Sequence, residues 1–348
     1  MNLSIPKGCW LLRCGLYSLL IDKRACVAGL GLVAALWVAC AMSLASGSAD
    51  ISAISALRAL FGVGEPMNVF LVRELRLERL LAGLFTGAAL GIAGCLLQTL
   101  ARNRLATPGV IGIDDGATAF AVASIVAVPT SLAPPALALI GAMTAAALAF
   151  GLAGGSGARG YRFIVVGIGV GAVFGALTNL MLARTDLDSA NQAYPWTVGS
   201  LSARPWMAVQ VLGIALLMAV PCATGLSRSL ATLRFNDSVA RGLGIGVPRI
   251  RFLTLAITVL LTGLAVAVVG PVGLIALAAP EMARYLSGHR GVPILNAGLA
   301  GALLMVCADW AGRMALAPVE IPVGIITAVI GGPYLLWILV RQPVRKTP

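Results

Sequence analysis

Charge is what this sequence most lacks. Only 11% of its 348 residues are Asp, Glu, Lys or Arg, where soluble domains average about 25%, and the mean hydropathy is +0.96. An ordinary soluble protein is excluded on that ground. Lysine is scarcest of all: the three present follow Pro6, Asp22 and Arg345. No Gly-Lys pair exists, so the phosphate-cradling P-loop that ends in that pair is excluded. The single histidine, His289, rules out a His-based metal centre built from this chain alone. The seven cysteines form no CxxC and mostly lie in or beside apolar runs. They read as small packing residues rather than disulfides or metal ligands. HExxH, GxSxG and paired-carboxylate constellations are missing too. No catalytic residue, cofactor or resident metal is expected.

What the chain does have is apolar runs of about twenty residues, the length that crosses a ~30 Å hydrocarbon core as helix. Ten crossings are predicted, near 25–45, 79–100, 109–128, 133–153, 162–183, 206–224, 251–269, 274–288, 293–312 and 321–340. The eighth is short and contains Pro280, which predicts a tilted or broken helix. The 41 glycines and few aromatics suit close helix packing in lipid. The class is therefore an all-α polytopic membrane protein. One transmembrane domain covers 1–348: an N-terminal segment 1–24, spans over 25–340 and a tail 341–348. The run from Ala25 to Ala45 is longer than the 7–15 residues of a signal-peptide core, which predicts an uncleaved first span. The net charge of +12 is spread over short loops, which argues orientation in a bilayer rather than nucleic acid. Of the 25 positives, 18 fall on the side of the two termini, so both termini are expected to be cytoplasmic.

That orientation puts a charge cluster on the wrong face. Five charges fall between Arg73 and Arg79, directly before the uncharged run from Leu80 to Leu100. At ~100° per residue, Arg73, Arg76 and Arg79 share one third of a helix, with Glu74 and Glu78 elsewhere. None of the three has an acid three or four residues away, so any partner must come from outside this helix. Residues 50–61 read as an amphipathic surface helix capped by Ser48 or Asp50. Tyr194, Trp196 and Trp206 are expected at the outer lipid interface. The internal loop 225–250 holds a predicted small helix, capped by Asn236 or Asp237 and closed by Gly244 or Gly246. Span acids are few in this reading: Glu281 in the first turn of a helix begun at Pro280, Asp309 four residues before Arg313, and Glu320 at a span edge. Gln98 and Asn179 are read as interhelical hydrogen-bonders. Spans two to five and seven to ten have opposite polarity, which leaves a secondary carrier with inverted repeats as the rival class.

The segment RLERLLAGLFTGAALGIAGCLLQTLARNRLATPGVIGIDDGA resembles the signature of the FecCD/BtuC-like permease family. WTVGSLSARPW, NDSVARGLGIGV, GPVGLIALAAPEMARYL and ADWAGRMALAPVEIPVGIITAVIGGPYLLWIL follow in the same order. Glu78 and Arg104 stand where that pattern usually has proline, and Glu281 where histidine is common. The resemblance implies a type II ABC importer permease of ten helices, pairing with a second permease subunit, with two ATPase subunits and with a substrate-binding protein. It implies import of an iron–siderophore complex, with haem or cobalamin as alternatives. It assigns Arg76, Arg79 and Arg313 to binding-protein docking, as exposed pairs worth ~0.2–1 kcal/mol each. It assigns Asn236, Asp237, Ala240, Arg241, Gly242, Leu243 and Gly244 to a helix coupled to the ATPase. A bulky residue at Ala240 or Gly242 should then stop transport while the protein stays in the membrane. The spans hold so few polar groups that none of Gln98, Asn179, Thr178 and Thr262 is expected to be indispensable.

Overall fold

The uncharged run after Arg79 forms the centre of the molecule. The computed structural model describes residues 8–14, 17–47, 51–126, 134–153, 161–288 and 291–341. A hairpin, β1 (Cys9–Cys14) and β2 (Tyr17–Asp22), precedes α1 (Lys23–Ala45), whose first turn is capped by the Asp22 carboxylate accepting from Arg24 N at 2.9 Å. The short helices α2 (Ala53–Leu60) and α3 (Pro66–Phe70) lead through a π-helical stretch, Leu71–Arg76, into α4 (Leu77–Ala101). After a 3-10 turn at Pro108–Ile111 come α5 (Ile113–Val126), α6 (Pro134–Ala153), α7 (Tyr161–Ala183) and α8 (Leu187–Val198). The chain continues as α9 (Trp206–Leu233), α10 (Asp237–Gly242), α11 (Val247–Val269), α12 (Gly273–Ser287), α13 (Ile294–Met314) and α14 (Val323–Arg341).

Each of the ten expected crossings has its helix: α1, α4, α5, α6, α7, α9, α11, α12, α13 and α14. Seven helices among the described residues are long and apolar enough to cross a membrane outright. Of the remainder, α5 has 14 residues and α12 has 15, about 21–23 Å at 1.5 Å per residue. The reason α12 is short lies in the irregular backbone before it. There Ser200 N donates to Val269 O at 2.7 Å and Gly324 N to Gly199 O at 3.1 Å. Three chain segments converge so tightly that a Cβ on Gly324 would lie 1.8 Å from Val198 O. Non-helical backbone at this depth is tolerated because protein, not lipid, surrounds and bonds it.

α4 packs against α13, α11, α12 and α9, and most of Ala82 to Leu100 is buried. Small residues make that approach possible. A Cβ on Gly87 would meet Gly301 O at 2.4 Å, and one on Gly91 would meet Ala297 O at 2.2 Å. This is the small-xxx-small contact of membrane helices, where backbones touch because lipid supplies no hydrophobic drive between them. α5, α6 and α7 form a second group beside α11, α1 lies on α13 and α12, and α14 leans on α13, α12 and α8.

Several local expectations change. Ser48 and Asp50 lie outside the described residues, and the cap of α2 is Ser52, accepting from Ser55 N at 3.2 Å. The π stretch breaks the 100° register, so Arg73, Arg76 and Arg79 reach three different elements instead of sharing one face. Residues 187–198 are helix, carried through Pro195. Trp196 is buried, not at a lipid interface, and lies 4.4 Å beneath the guanidinium of Arg204. Arg204 also donates to Ser200 O (2.7 Å) and Pro195 O (3.1 Å), and burial lowers its pKa to about 10. α12 runs unbroken through Pro280, which places Glu281 well past the first turn. Asn179 is exposed on α7 rather than bonded between helices. His289 and residues 342–348 lie outside the described residues.

Candidate docking and coupling ends

The two ends of α4 hold the charges that the sequence singles out. At the first end, Arg79 grips Asp309 of α13 through Nε (3.0 Å) and Nη2 (2.9 Å), and its Nη1 reaches Glu320 at 2.7 Å. Arg313 donates to the other oxygen of Asp309 at 3.1 Å, and to Ser46 O and Ser43 Oγ at 3.0 and 2.7 Å. Arg76 closes the end of α1 by donating to Leu44 O and Ala45 O at 2.6 and 3.0 Å. The acids that Arg79 lacks on its own helix thus lie 230 and 241 residues on. The side chains of Arg79, Arg313 and Asp309 keep only 19%, 10% and 7% of their exposure. They are not the exposed pairs expected, and removing one of them leaves a charge stranded in the interior. Arg76, Arg79, Arg313 and Glu320 line a cavity of about 660 Å³. Burial pushes the Glu320 carboxyl upward, but the hydrogen bond and charge of Arg79 outweigh it and hold it below the ordinary carboxylate range.

At the second end, Arg102 ends α4 in the left-handed conformation (φ 52°) and donates to Leu233 O at 2.7 Å. It also faces Asp237, the first residue of α10, at 3.5 Å. Arg251, in the first turns of α11, holds the other oxygen of Asp237 at 2.6 Å. α10 is therefore tied to α4 and α11 by one carboxylate. Asn236 is its N-cap, and Gly244 (φ +80°) turns the chain after it. The residues around α10 divide by face. Ala240 is wholly buried in the chain's own core, whereas a Cβ on Gly242 would meet nothing within 4 Å. A bulky side chain at Ala240 would disrupt the permease itself, so only Gly242 offers the expected test. Phe235, Val239 and Leu243, spaced four apart, are exposed apolar residues beside exposed Arg241. Phe235 was missed by the sequence reading; its signal is that i, i+4, i+8 spacing.

Deeper at the same end, Gln98 accepts from Arg284 and donates to Leu277 O at 3.4 Å. Arg284 pairs with Glu281 at 3.0 Å, and Arg104 approaches the same oxygen at 3.7 Å. The two departures from the family pattern on this side therefore meet. A further omission concerns Asp114 and Asp115, two adjacent acids in α5. One oxygen of Asp114 is buried with no hydrogen-bond partner. The string DDGA in a predicted span was the signal for them. Among the described residues, no cluster of three His, Cys, Asp or Glu is placed to hold a metal.

With this geometry in hand, comparisons place the chain. Residues 35–341 match the FecCD transport family. The chain is 34% identical over 327 residues to the ferric enterobactin transport system permease protein FepG of Escherichia coli, covering 94% of this chain and 99% of that one. It is 37% identical over 321 residues to the Fe(3+)-citrate import system permease protein YfmE of Bacillus subtilis, covering 91% and 96%. It is 35% identical over 318 residues to the hemin transport system permease protein HmuU of Yersinia pestis, covering 87% and 94%. Its fold matches a chain of an inward-facing metal-chelate-type ABC transporter with TM-score 0.79 at 24% identity, over 91% of this chain and all of that one. A secondary carrier is set aside: the chain belongs to the FecCD transport family and is a permease subunit of an ATP-binding-cassette importer.

Proposed function

We propose that the whole chain acts as one permease unit that carries a ferric chelate, of the siderophore type, across the bacterial inner membrane. The observation that carries the coupling part of this reading is the carboxylate of Asp237, shared by Arg102 and Arg251, which fastens an exposed short helix to two buried spans. A rigid tie of that kind transmits a push on α10 to α4 and α11. Two ATPase subunits, one per permease of a pair, receive the exposed residues of α10, with both termini on the same cytoplasmic side. Nucleotide binding there biases the pair between two packings, since an effector shifts an equilibrium only through unequal affinity for its states. The permease itself performs no bond chemistry. At the opposite end, Arg76, Arg79 and Arg313 take up acids of a substrate-binding protein, and charge complementarity of this sort speeds and orients encounter. The cargo assignment draws on relatives named for ferric enterobactin and Fe(3+)-citrate. A relative named for hemin makes haem the second reading.

The test is iron uptake by a strain lacking this gene, supplied in turn with ferric enterobactin, ferric citrate, other ferric siderophores and hemin. Loss of uptake for one ferric chelate, restored by the intact gene and abolished when its ATPase is inactivated, is expected. Loss confined to hemin assigns the second reading. Unchanged uptake of every chelate overturns both.

A further inference from the structure

Arg102, Arg104, Arg234 and Arg284 converge at the α10 end of the molecule on a cavity of about 180 Å³, closed on its other sides by Gln98 and Pro293. The acids within reach do not cancel them. Asp237 is divided between Arg102 and Arg251, and Glu281 between Arg284 and Arg104. Counting Arg251, five guanidiniums face two carboxylates among the described residues. Arg284, largely buried, keeps an Nε with no hydrogen-bond partner. A pocket of fixed, undercompensated guanidiniums suits a compact anion with several acceptor oxygens, because the planar fork of arginine matches phosphate geometry.

The level of the pocket says where such an anion comes from. It sits at the last turn of α4 and beside the last turn of α12, where the apolar spans end. Tyr285, on that last turn of α12, is strongly exposed. Aromatic rings exposed at span ends mark the depth of lipid headgroups. From this we infer that the pocket binds the phosphate of an anionic phospholipid headgroup, at a site that shares Arg102 with the tie to α10. Basic pockets between spans on this face are suited to such headgroups. The inference does not depend on which chelate is carried.

The full chain, purified in detergent, is to be unfolded thermally with phosphatidylglycerol, with phosphatidylcholine or with sodium phosphate. Native mass spectrometry counts the retained lipid in parallel. The variant is Arg104→Gln with Arg234→Gln, because both side chains are exposed and their loss leaves the packing intact. Phosphatidylglycerol should raise the melting temperature and phosphatidylcholine should not. Loss of two surface charges should weaken phosphatidylglycerol binding about thirty-fold, and most retained lipid should vanish from the spectrum. Equal protection by both lipids overturns the inference, as does undiminished phosphatidylglycerol binding by the variant. Equal protection by sodium phosphate, lost in the variant, keeps the anion pocket but assigns it to free phosphate. A variant that keeps its lipid but no longer co-purifies with the ATPase shows that an acidic protein segment fills the pocket, which also overturns the lipid assignment.

Discussion

At one end of α4, Arg79 shares Asp309 with Arg313 and holds Glu320, all four charges locked against α1, α13 and the approach to α14. At its other end, Arg102 and Arg104 belong to a cluster whose carboxylates, Asp237 and Glu281, are each divided between two arginines. Both ends are crowded with arginine, yet among the described residues the first is nearly balanced while the second keeps a surplus of positive charge. The contrast teaches that similar charge runs perform different work according to charge balance. The balanced set ties helices together and opens to a partner on its Glu320 side. The surplus set keeps positive charge for something that arrives.

The sharpest way to break this contrast is to remove the shared acid at each end. Asp309→Ala deprives two largely buried guanidiniums of one carboxylate, and breaking a buried pair costs about 3–5 kcal/mol. The variant should be scarce in membranes and melt well below the parent in detergent. Glu281→Ala leaves Arg284 its bond to Gln98 and Arg104 more than half exposed to solvent, and should cost distinctly less. Comparable losses in the two variants would erase the distinction between the ends.

A second, functional break targets α10. Because a Cβ on Gly242 would meet nothing within 4 Å, Gly242→Trp should fold and reach the membrane in normal amount. A clash at the ATPase surface worth 1.4 kcal/mol or more should cut uptake and ATPase co-purification by at least about ten-fold. Ala240→Trp is the contrast: buried in the core, it should lower the amount of permease itself. Normal uptake by Gly242→Trp would remove α10 from the coupling path.

How much of this was legible depends on the range of the interaction concerned. The helices of the expected crossings, seven of them long and apolar enough to span a membrane, could be read because transfer of an apolar run into lipid depends on composition alone. α10 could be read because its cap Asn236 and its closing Gly244 are local signals. The charge pattern itself marked the arginine cluster, and the resemblance carried the functional class. The π stretch at Leu71–Arg76 could not be read, since no proline or glycine marks it and the widened turn is set by what each arginine reaches. The pairing of Arg79 with Asp309 was out of reach for the same reason: a helix-local rule finds Asp309 with Arg313 but not a partner 230 residues away. The hairpin Cys9–Asp22 and the helix through Pro195 also escaped, because short elements are decided by tertiary contacts more than by propensity.

The smallest expected effect is the one that separates docking from mere support. Glu320 is about half exposed and occupies Nη1 of Arg79 at 2.7 Å, so it competes with any acid arriving from a binding protein. Glu320→Gln removes that competitor. An exposed pair is worth ~0.2–1 kcal/mol, so docking at low salt should tighten by no more than about five-fold, and salt should erase the gain. The pH dependence follows from the depressed pKa of Glu320. A carboxylate whose folded pKa lies below its unfolded value contributes stability above the unfolded pKa and loses it as pH falls through the folded one. Acidification below the ordinary carboxylate range should therefore release Arg79 in the parent and narrow its difference from Glu320→Gln. Docking is to be measured by surface-immobilised permease in detergent across salt and pH, always as the difference between parent and variant, so that titration of the binding protein cancels. Weaker docking by Glu320→Gln would mean that Glu320 only holds Arg79 in position, and that the acids of a partner do not enter this cavity.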